Sequence, residues 1–418
     1  MRRVVVLVLA GGGGEALSVL TTERAVSAVP FGGKYRVIDF VLSNCCHSEI
    51  AEIGVLTQHA PASLHDHVGA GRPWGFDHRS GGVQMLQPYL TRSDSEWYQG
   101  TAHAIARNWD RIEALGASRV LVLSGDQVYR MDYRRMLMVH ERRGATVTLA
   151  VTRVPPEEAR RFGMVEFGAD GRVTRLEEKP RRTQASHASM GVYLFETAAL
   201  GELLKDRAAD LVMDVIVPLL EGGEAVHAHE FVGYWEDVGT VASYYRANLE
   251  MVAPAPRLEL HNPRWPVLTL DEERPPANLR EDADVEESLV ANGCRVCGRV
   301  RRSVLFPGVV VEPGAEIVDS IVFQDGVVGR DAKVSRSILD KHVVVGDRAE
   351  VGWGEPPRDP AHAWLDGLTL VGKDAHVPEG ARVGRSVVIG LNASFDGYGR
   401  EVPAGTTLPS RVWYEGIV

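Results

Sequence analysis

The chain has 418 residues, of which 44% are hydrophobic and 24% charged. That is the usage of folded globular proteins, so wholesale disorder is excluded, and at roughly 150 residues per domain two or three domains are expected. The 46 Lys and Arg against 56 Asp and Glu leave a net charge of −10, which argues against nucleic acid or an anionic membrane as the main partner but leaves small phosphorylated ligands open. Four cysteines do not make a disulfide framework, and a reducing cytoplasm is the expected compartment.

Met1-Arg2-Arg3 followed by Val4–Ala10 imitates a short signal peptide, but Gly11 to Gly14 follow at once. A buried parallel strand running into a glycine turn explains these residues better. No run of about 18 apolar residues occurs, so no transmembrane helix is expected. Val4–Ala10, Ile53–Thr57, Arg119–Leu123, Ala145–Val151 and Met190–Phe195 read as strands. Ala102–Leu115 and Tyr133–Arg143 read as helices between them. This alternation predicts an α/β domain over residues 1–250 with an open, mostly parallel sheet, and ligands beyond the carboxyl ends of its strands. Residues 251–280, from Ala253-Pro254-Ala255-Pro256 to Pro275-Pro276, read as a semi-rigid connector.

From residue 281 to 418 a period of six appears. Val309, Ala315, Ile321, Val327, Leu339, Val345 and Val351 fall on one phase, broken by Lys333, and Leu305, Val311, Ile317 and Phe323 on a second. Leu365, Val371, Val377, Val383 and Ile389 continue the spacing beyond Glu355–Pro360. Gly and Asp fill the corners, the signature of a parallel β-helix of hexapeptide repeats.

Several groups could carry chemistry. The glycines after the first strand let backbone amides approach phosphates, although a glycine turn is often only a turn. Asp126 follows one strand and Asp237 lies in Trp235-Glu236-Asp237-Val238-Gly239. Two such carboxylates would suit Mg²⁺ shared with substrate phosphates, or would merely cap turns. Glu178-Lys179-Pro180 offers an acid for sugar hydroxyls and an ammonium for a phosphate, or an exposed turn. Cys294 and Cys297 have half a zinc spacing with no second pair; they, Cys45-Cys46, His65 and His67 read as structural.

Taken together, the stretches Ala28-Val29-Pro30-Phe31-Gly32-Gly33-Lys34-Tyr35-Arg36-Val37-Ile38-Asp39-Phe40, Val55-Leu56-Thr57-Gln58, Trp97-Tyr98-Gln99-Gly100-Thr101-Ala102, Gly125-Asp126, Phe162-Gly163, Glu178-Lys179-Pro180, Ser189-Met190-Gly191 and Tyr234-Trp235-Glu236-Asp237-Val238-Gly239-Thr240 are similar to the glucose-1-phosphate adenylyltransferase family. The resemblance covers nearly the whole length. It implies a Rossmann-like nucleotidyltransferase domain followed by a left-handed β-helix, and the reaction of ATP with α-D-glucose 1-phosphate to ADP-glucose and pyrophosphate for α-glucan synthesis. It implies Asp126 and Lys179 as catalytic residues, with Mg²⁺ on Asp126 and Asp237. It places the nucleotide on Gly11, Gly12, Gly14, Gly100 and Thr101, and glucose 1-phosphate on Tyr98, Gly163, Glu178, Lys179 and Ser189. Small phosphorylated effectors would meet Lys34 and Arg36. The assembly implied is a homotetramer, or a hetero-oligomer with an active paralogue.

The departures matter too. Ala16 and Val26 stand where the family carries an Arg and a Lys beside the triphosphate, Glu15 adds a negative charge there, and Gln87-Pro88-Tyr89-Leu90 replaces the stretch that approaches the base. A phosphate-clamping cation is worth several kcal/mol in the transition state. Three readings follow: an adenylyltransferase with a rearranged triphosphate site, a catalytically impaired regulatory paralogue that binds sugar phosphate, or a nucleotidyltransferase for another sugar or base.

Overall fold

The computed structural model describes residues 3–77, 81–89, 97–206, 208–393, 395 and 399–411. By contacts the chain divides into two compact units, Met1–Gly12 with Ile38–Trp235, and Gly13–Val37 with Glu236–Val418. This division differs from the linear one expected at residues 250 and 281, because the segment after the first glycines and the helix Val241–Glu250 are both grouped with the C-terminal part.

The first unit is built on nine strands: β1 (Val4–Leu9), β2 (Glu52–Leu56), β3 (Gly82–Leu86), β4 (Arg119–Ser124), β5 (Val147–Arg153), β6 (Gly163–Phe167), β7 (Val173–Glu178), β8 (His187–Glu196) and β9 (Val226–Glu230). Their order is β7-β6-β8-β4-β1-β2-β3, with β5 beside β8 and β9 beside β5. β1 pairs in parallel with β2 and β4, and β2 with β3. Val5 to Val8 are all at most 2% exposed, because a parallel strand is covered on both faces. Each fully buried Val or Leu contributes roughly 1.5–3 kcal/mol. The sheet is mixed rather than mostly parallel: β8 runs antiparallel to β4, β5 and β6. Its register against β5 shifts between Ser189 and Tyr193, and Gly191 sits there at φ 65°. A glycine in the left-handed region absorbs such a bulge, and the strand bends.

The helix expected over Ala102–Leu115 is two short helices, Thr101–Ala106 and Trp109–Ala114. Asn108 marks the break: its amide donates to the Ala104 carbonyl and to the Tyr98 hydroxyl, both at 2.9 Å. The helix Tyr133–Arg143 matches expectation, capped by the Asp132 carboxylate and closed by Gly144 at φ 58°. His67 and Asp39 form a buried pair at 2.5 Å, and His65 meets the Thr57 hydroxyl at 3.2 Å, so both histidines are structural.

The second unit contains three parallel sheets of six, seven and seven short strands, the three-sided coil expected of a left-handed β-helix. The repeat is not a strict hexad. Register partners Arg299, Glu316, Lys333 and Glu350 step by 17 residues per turn. One row of interior residues runs Leu305, Val311, Ile317, Val322, Val328, Val334, Leu339, Val345 and Val351, spaced six, six and five. The short corner is marked by Ser303, Ser320 and Ser337. Each hydroxyl donates to the carbonyl two residues before it, and those of Ser303 and Ser320 accept the next coil's serine N–H at 3.1 and 3.2 Å. Arg302, Asp319 and Arg336 precede them at φ 42–47°. The expected hexad phases therefore slip. Ile321 and Phe323 are buried outside the coil interior, where Phe323 meets the rings of Phe306 and Tyr244, and Val327 is only half-buried.

Candidate functional site

In the first unit the carboxyl ends of β1, β2 and β4 surround a cavity of about 310 Å³. Gly11, Gly12, Tyr98, Gly100, Thr101 and Asp126 line it, with Gln58 and Ser124. The strand alternation that buries Val6 and Val8 ends in glycines there, leaving backbone rather than side chain at the wall. The structure brings Tyr98 to this group rather than to Gly163. Gln58 fixes Tyr98 by its backbone, accepting the Tyr98 N–H at 2.6 Å and donating to its carbonyl at 3.3 Å. Burial pushes the Tyr98 phenol above its ordinary pKa, while the Asn108 amide opposes the shift. The Thr101 hydroxyl accepts the Leu211 N–H at 2.8 Å. The Ser124 hydroxyl donates to Asp126 Oδ1 at 2.5 Å, which holds that carboxylate at the strand end. None of the lining residues is a Lys or Arg.

A second group lies on β6, β7 and β8. Gly163 pairs with Glu178 across β6 and β7, and a Cβ placed at Gly163 would lie 2.8 Å from the Glu178 carboxylate and 3.9 Å from Ser189 Cβ. A larger residue at Gly163 would have to displace the Glu178 carboxylate. Lys179 follows at φ 44° with its N–H on the Phe162 carbonyl and its ammonium 3.6 Å from Glu178 Oε1. A left-handed lysine is uncommon, and such outliers collect at functional positions. Ser189 donates to the Tyr193 hydroxyl at 3.1 Å. Gly191 joins the two groups: its N–H reaches Ser189 Oγ at 3.4 Å, and a Cβ on it would lie 3.0 Å from Ser124 Cβ. Trp235 stacks edge-on against Phe162 and donates to Gln127, the neighbour of Asp126, at 3.0 Å.

Gly14 and Asp237 belong to the second unit. Gly14 sits at φ 59°, where a Cβ would lie 2.1 Å from Val26 Cγ2, so its glycine serves packing against Val26. Asp237 accepts the Gly239 N–H at 3.0 Å. Arg24 is buried and paired with Asp340 at 2.8 Å. Lys34 reaches Asp271 at 3.4 Å and lies over the Tyr35 ring, in the wall of a cavity of about 230 Å³. Lys341 is the residue that sequence reading missed here. Burial first, with Arg36 and Arg24 adding to it against the pull of Asp340 and Glu272, pushes its pKa down to about 8. No sequence periodicity flags it; only the fold sets it against those cations.

Tyr89 is held by the Arg107 and Arg111 guanidiniums at 5.5 and 5.8 Å; Leu90 lies outside the described residues. All four cysteines are free, and the Cys294 thiol donates to the Phe306 carbonyl at 3.2 Å with its pKa pushed up to about 11 by burial. Among the described residues no three His, Cys, Asp or Glu side chains gather as a metal cage, and no helix is long and apolar enough to cross a membrane.

Residues 5–253 match the nucleotidyl transferase family model, and residues 275–365 match the GlmU-like C-terminal hexapeptide model. The chain is 47% identical to the glucose-1-phosphate adenylyltransferase of Thermomicrobium roseum over 98% of both chains. It is 41% identical to that of Acetivibrio thermocellus over 93% of both, and 41% identical to that of Bacillus cereus over 83% of this chain and 94% of the other.

Proposed function

The chain belongs to the glucose-1-phosphate adenylyltransferase family, and from that premise we propose that it transfers the adenylyl group of ATP to α-D-glucose 1-phosphate, giving ADP-glucose and pyrophosphate. The observation that carries this reading is the pair of adjoining groups in the first unit, a glycine-walled cavity with a carboxylate at its strand end and a Gly163–Glu178–Lys179–Ser189 cluster joined to it through Gly191. In this reading Gly11 and Gly12 let the nucleotide approach the backbone, and Gly100 and Thr101 border the base and ribose. Lys179 holds the sugar phosphate and Glu178 accepts from sugar hydroxyls. Tyr98 and Ser189 shape the space between them. A phosphate oxygen of glucose 1-phosphate attacks the α-phosphorus in line and pyrophosphate leaves, so the protein's work is positioning and charge placement.

Asp126 is the residue proposed for Mg²⁺, a hard cation that takes one or two carboxylates plus phosphate oxygens. Its oxygen donors fit, and the resemblance pairs it with Asp237. When bound, the metal neutralises phosphate charge that the cation-free cavity wall does not. Effector binding at Lys34 and Arg36, a tetrameric assembly and a cytoplasmic setting are proposed on the resemblance. The regulatory-subunit alternative is not favoured, since relatives matched nearly end to end carry the enzyme's name. The test is an assay of the purified chain with ATP, glucose 1-phosphate and Mg²⁺, following pyrophosphate release. Release that requires both substrates is expected; none at any enzyme concentration overturns the reading.

A further inference from the structure

A further cavity of the first unit, of about 340 Å³, lies between β1, β2 and β3 and the helix Trp109–Ala114. Two glycines account for the hollow. Gly54 stands in register between Leu7 and Gln84, and Gly82 lies opposite Glu52. A glycine inside a strand packs no side chain, and it often marks where a ligand approaches the sheet closely. Val5, Leu7, Leu86, Ile112 and Leu115 make the wall apolar. Leu9, Leu56 and Leu86 are paired in one row across the three strands. Leu86 lines this cavity, while Leu9 and Leu56 line the glycine-walled one, so the row partitions them and they share no lining residue. Small-molecule sites span about 300–1,000 Å³ and combine an apolar wall with a few polar groups.

The polar rim decides the charge of the ligand. Glu52 is already neutralised by an ion pair with Arg3. Arg111 is exposed and has no hydrogen bond or ion pair among the described residues; its guanidinium rests 5.8 Å from the Tyr89 ring centre. The Gln84 side chain, exposed on the edge strand, has no hydrogen-bond partner among the described residues either. The rim therefore sets one unspent cation and one unspent amide beside an apolar hollow. A cationic ligand would meet the repulsion of Arg111. A sugar phosphate would set its hydroxyls against leucine and valine with no partner for them. A small organic acid satisfies both parts. Its hydrocarbon body fills the space that the glycines leave, and its carboxylate accepts a charge-assisted contact from the guanidinium and a further bond from the Gln84 amide.

We propose that this cavity binds a small amphipathic carboxylate, an aliphatic or aromatic acid anchored by Arg111 and Gln84. It does not depend on the adenylyl-transfer reading, because binding alone reports it.

The experiment is calorimetric titration of the full chain with 4-phenylbutyrate. Binding with Kd on the order of 0.1–1 mM is expected for a ligand of this size. Arg111→Ala removes the cation and Gln84→Glu sets a like charge against the carboxylate. Each should weaken binding at least tenfold, about 1.4 kcal/mol, and because both positions are exposed the melting temperatures should not change. Lys179→Ala, in the other group of the unit, should leave Kd within about threefold. No heat with the wild-type chain overturns the site. So do indifference to Arg111→Ala, loss of binding in Lys179→Ala, displacement of the probe by ATP, and 4-phenylbutylamine binding as tightly as 4-phenylbutyrate.

Discussion

Replacing Val26 by lysine restores the residue that the family carries, and the sequence alone promises a faster enzyme for it. The structure gives a different expectation. Val26 is 6% exposed and its Cγ2 occupies the place that a Cβ on Gly14 would need. An ammonium there is stripped of water, and Asp340 is already engaged by Arg24. A buried lysine pushed down by two pKa units costs about 2.7 kcal/mol at neutral pH. For a unit of this size that lowers the melting temperature by roughly 5–10 °C. Ala16 is exposed, so Ala16→Arg should change stability by less than about 0.5 kcal/mol. Because it restores a phosphate-facing cation, it should raise kcat/KM for ATP at least tenfold, about 1.4 kcal/mol. Calorimetric melting and pyrophosphate-release kinetics on both single variants and the double variant decide the matter. The double variant is expected to melt early and to gain nothing beyond Ala16→Arg. An unshifted melt for Val26→Lys would refute the packing argument, and a flat rate for Ala16→Arg would refute the electrostatic one.

Lys179→Ala should weaken glucose 1-phosphate binding by about 1.5–3 kcal/mol, the range for a charge-assisted hydrogen bond; unchanged affinity by calorimetry removes Lys179 from the site. Arg24→Ala leaves Asp340 buried without its partner, so denaturant unfolding should show a loss of about 3–5 kcal/mol; a loss below 1 kcal/mol would show that the pair contributes little. His140 is buried against Thr148 and Glu196 with Arg119 and His227 near, and burial lowers its pKa. A histidine kept neutral in the fold takes up its proton on unfolding, so its contribution is present above the unfolded pKa of about 6.5 and is lost as pH falls through the folded value. Urea midpoints between pH 7 and 5 should fall, and His140→Gln should flatten that slope; an equal slope in the variant would exclude His140 as the source.

Much of this protein was legible from residue order. Val4–Leu9 running into glycines, Asp126 after an apolar strand and Glu178-Lys179-Pro180 each declare a local conformation and a chemistry, because both follow from neighbours in the chain. The β-helix was legible for the same reason, since apolar residues recur at short range. Its true step was not: a six-residue count cannot see that the serine corner takes five, which depends on hydroxyl–amide bonds between coils 17 residues apart. Nor could order alone split Ala102–Leu115, where Asn108 bonds to the Tyr98 hydroxyl ten residues away. Gly14 and Val26 read as phosphate-site positions, yet they pack against each other. Arg24 carries a charge that is consumed by Asp340, 316 residues on. Burial and ion pairing are sums over neighbours from distant parts of the chain, so tertiary structure alone decided which charges were free to act.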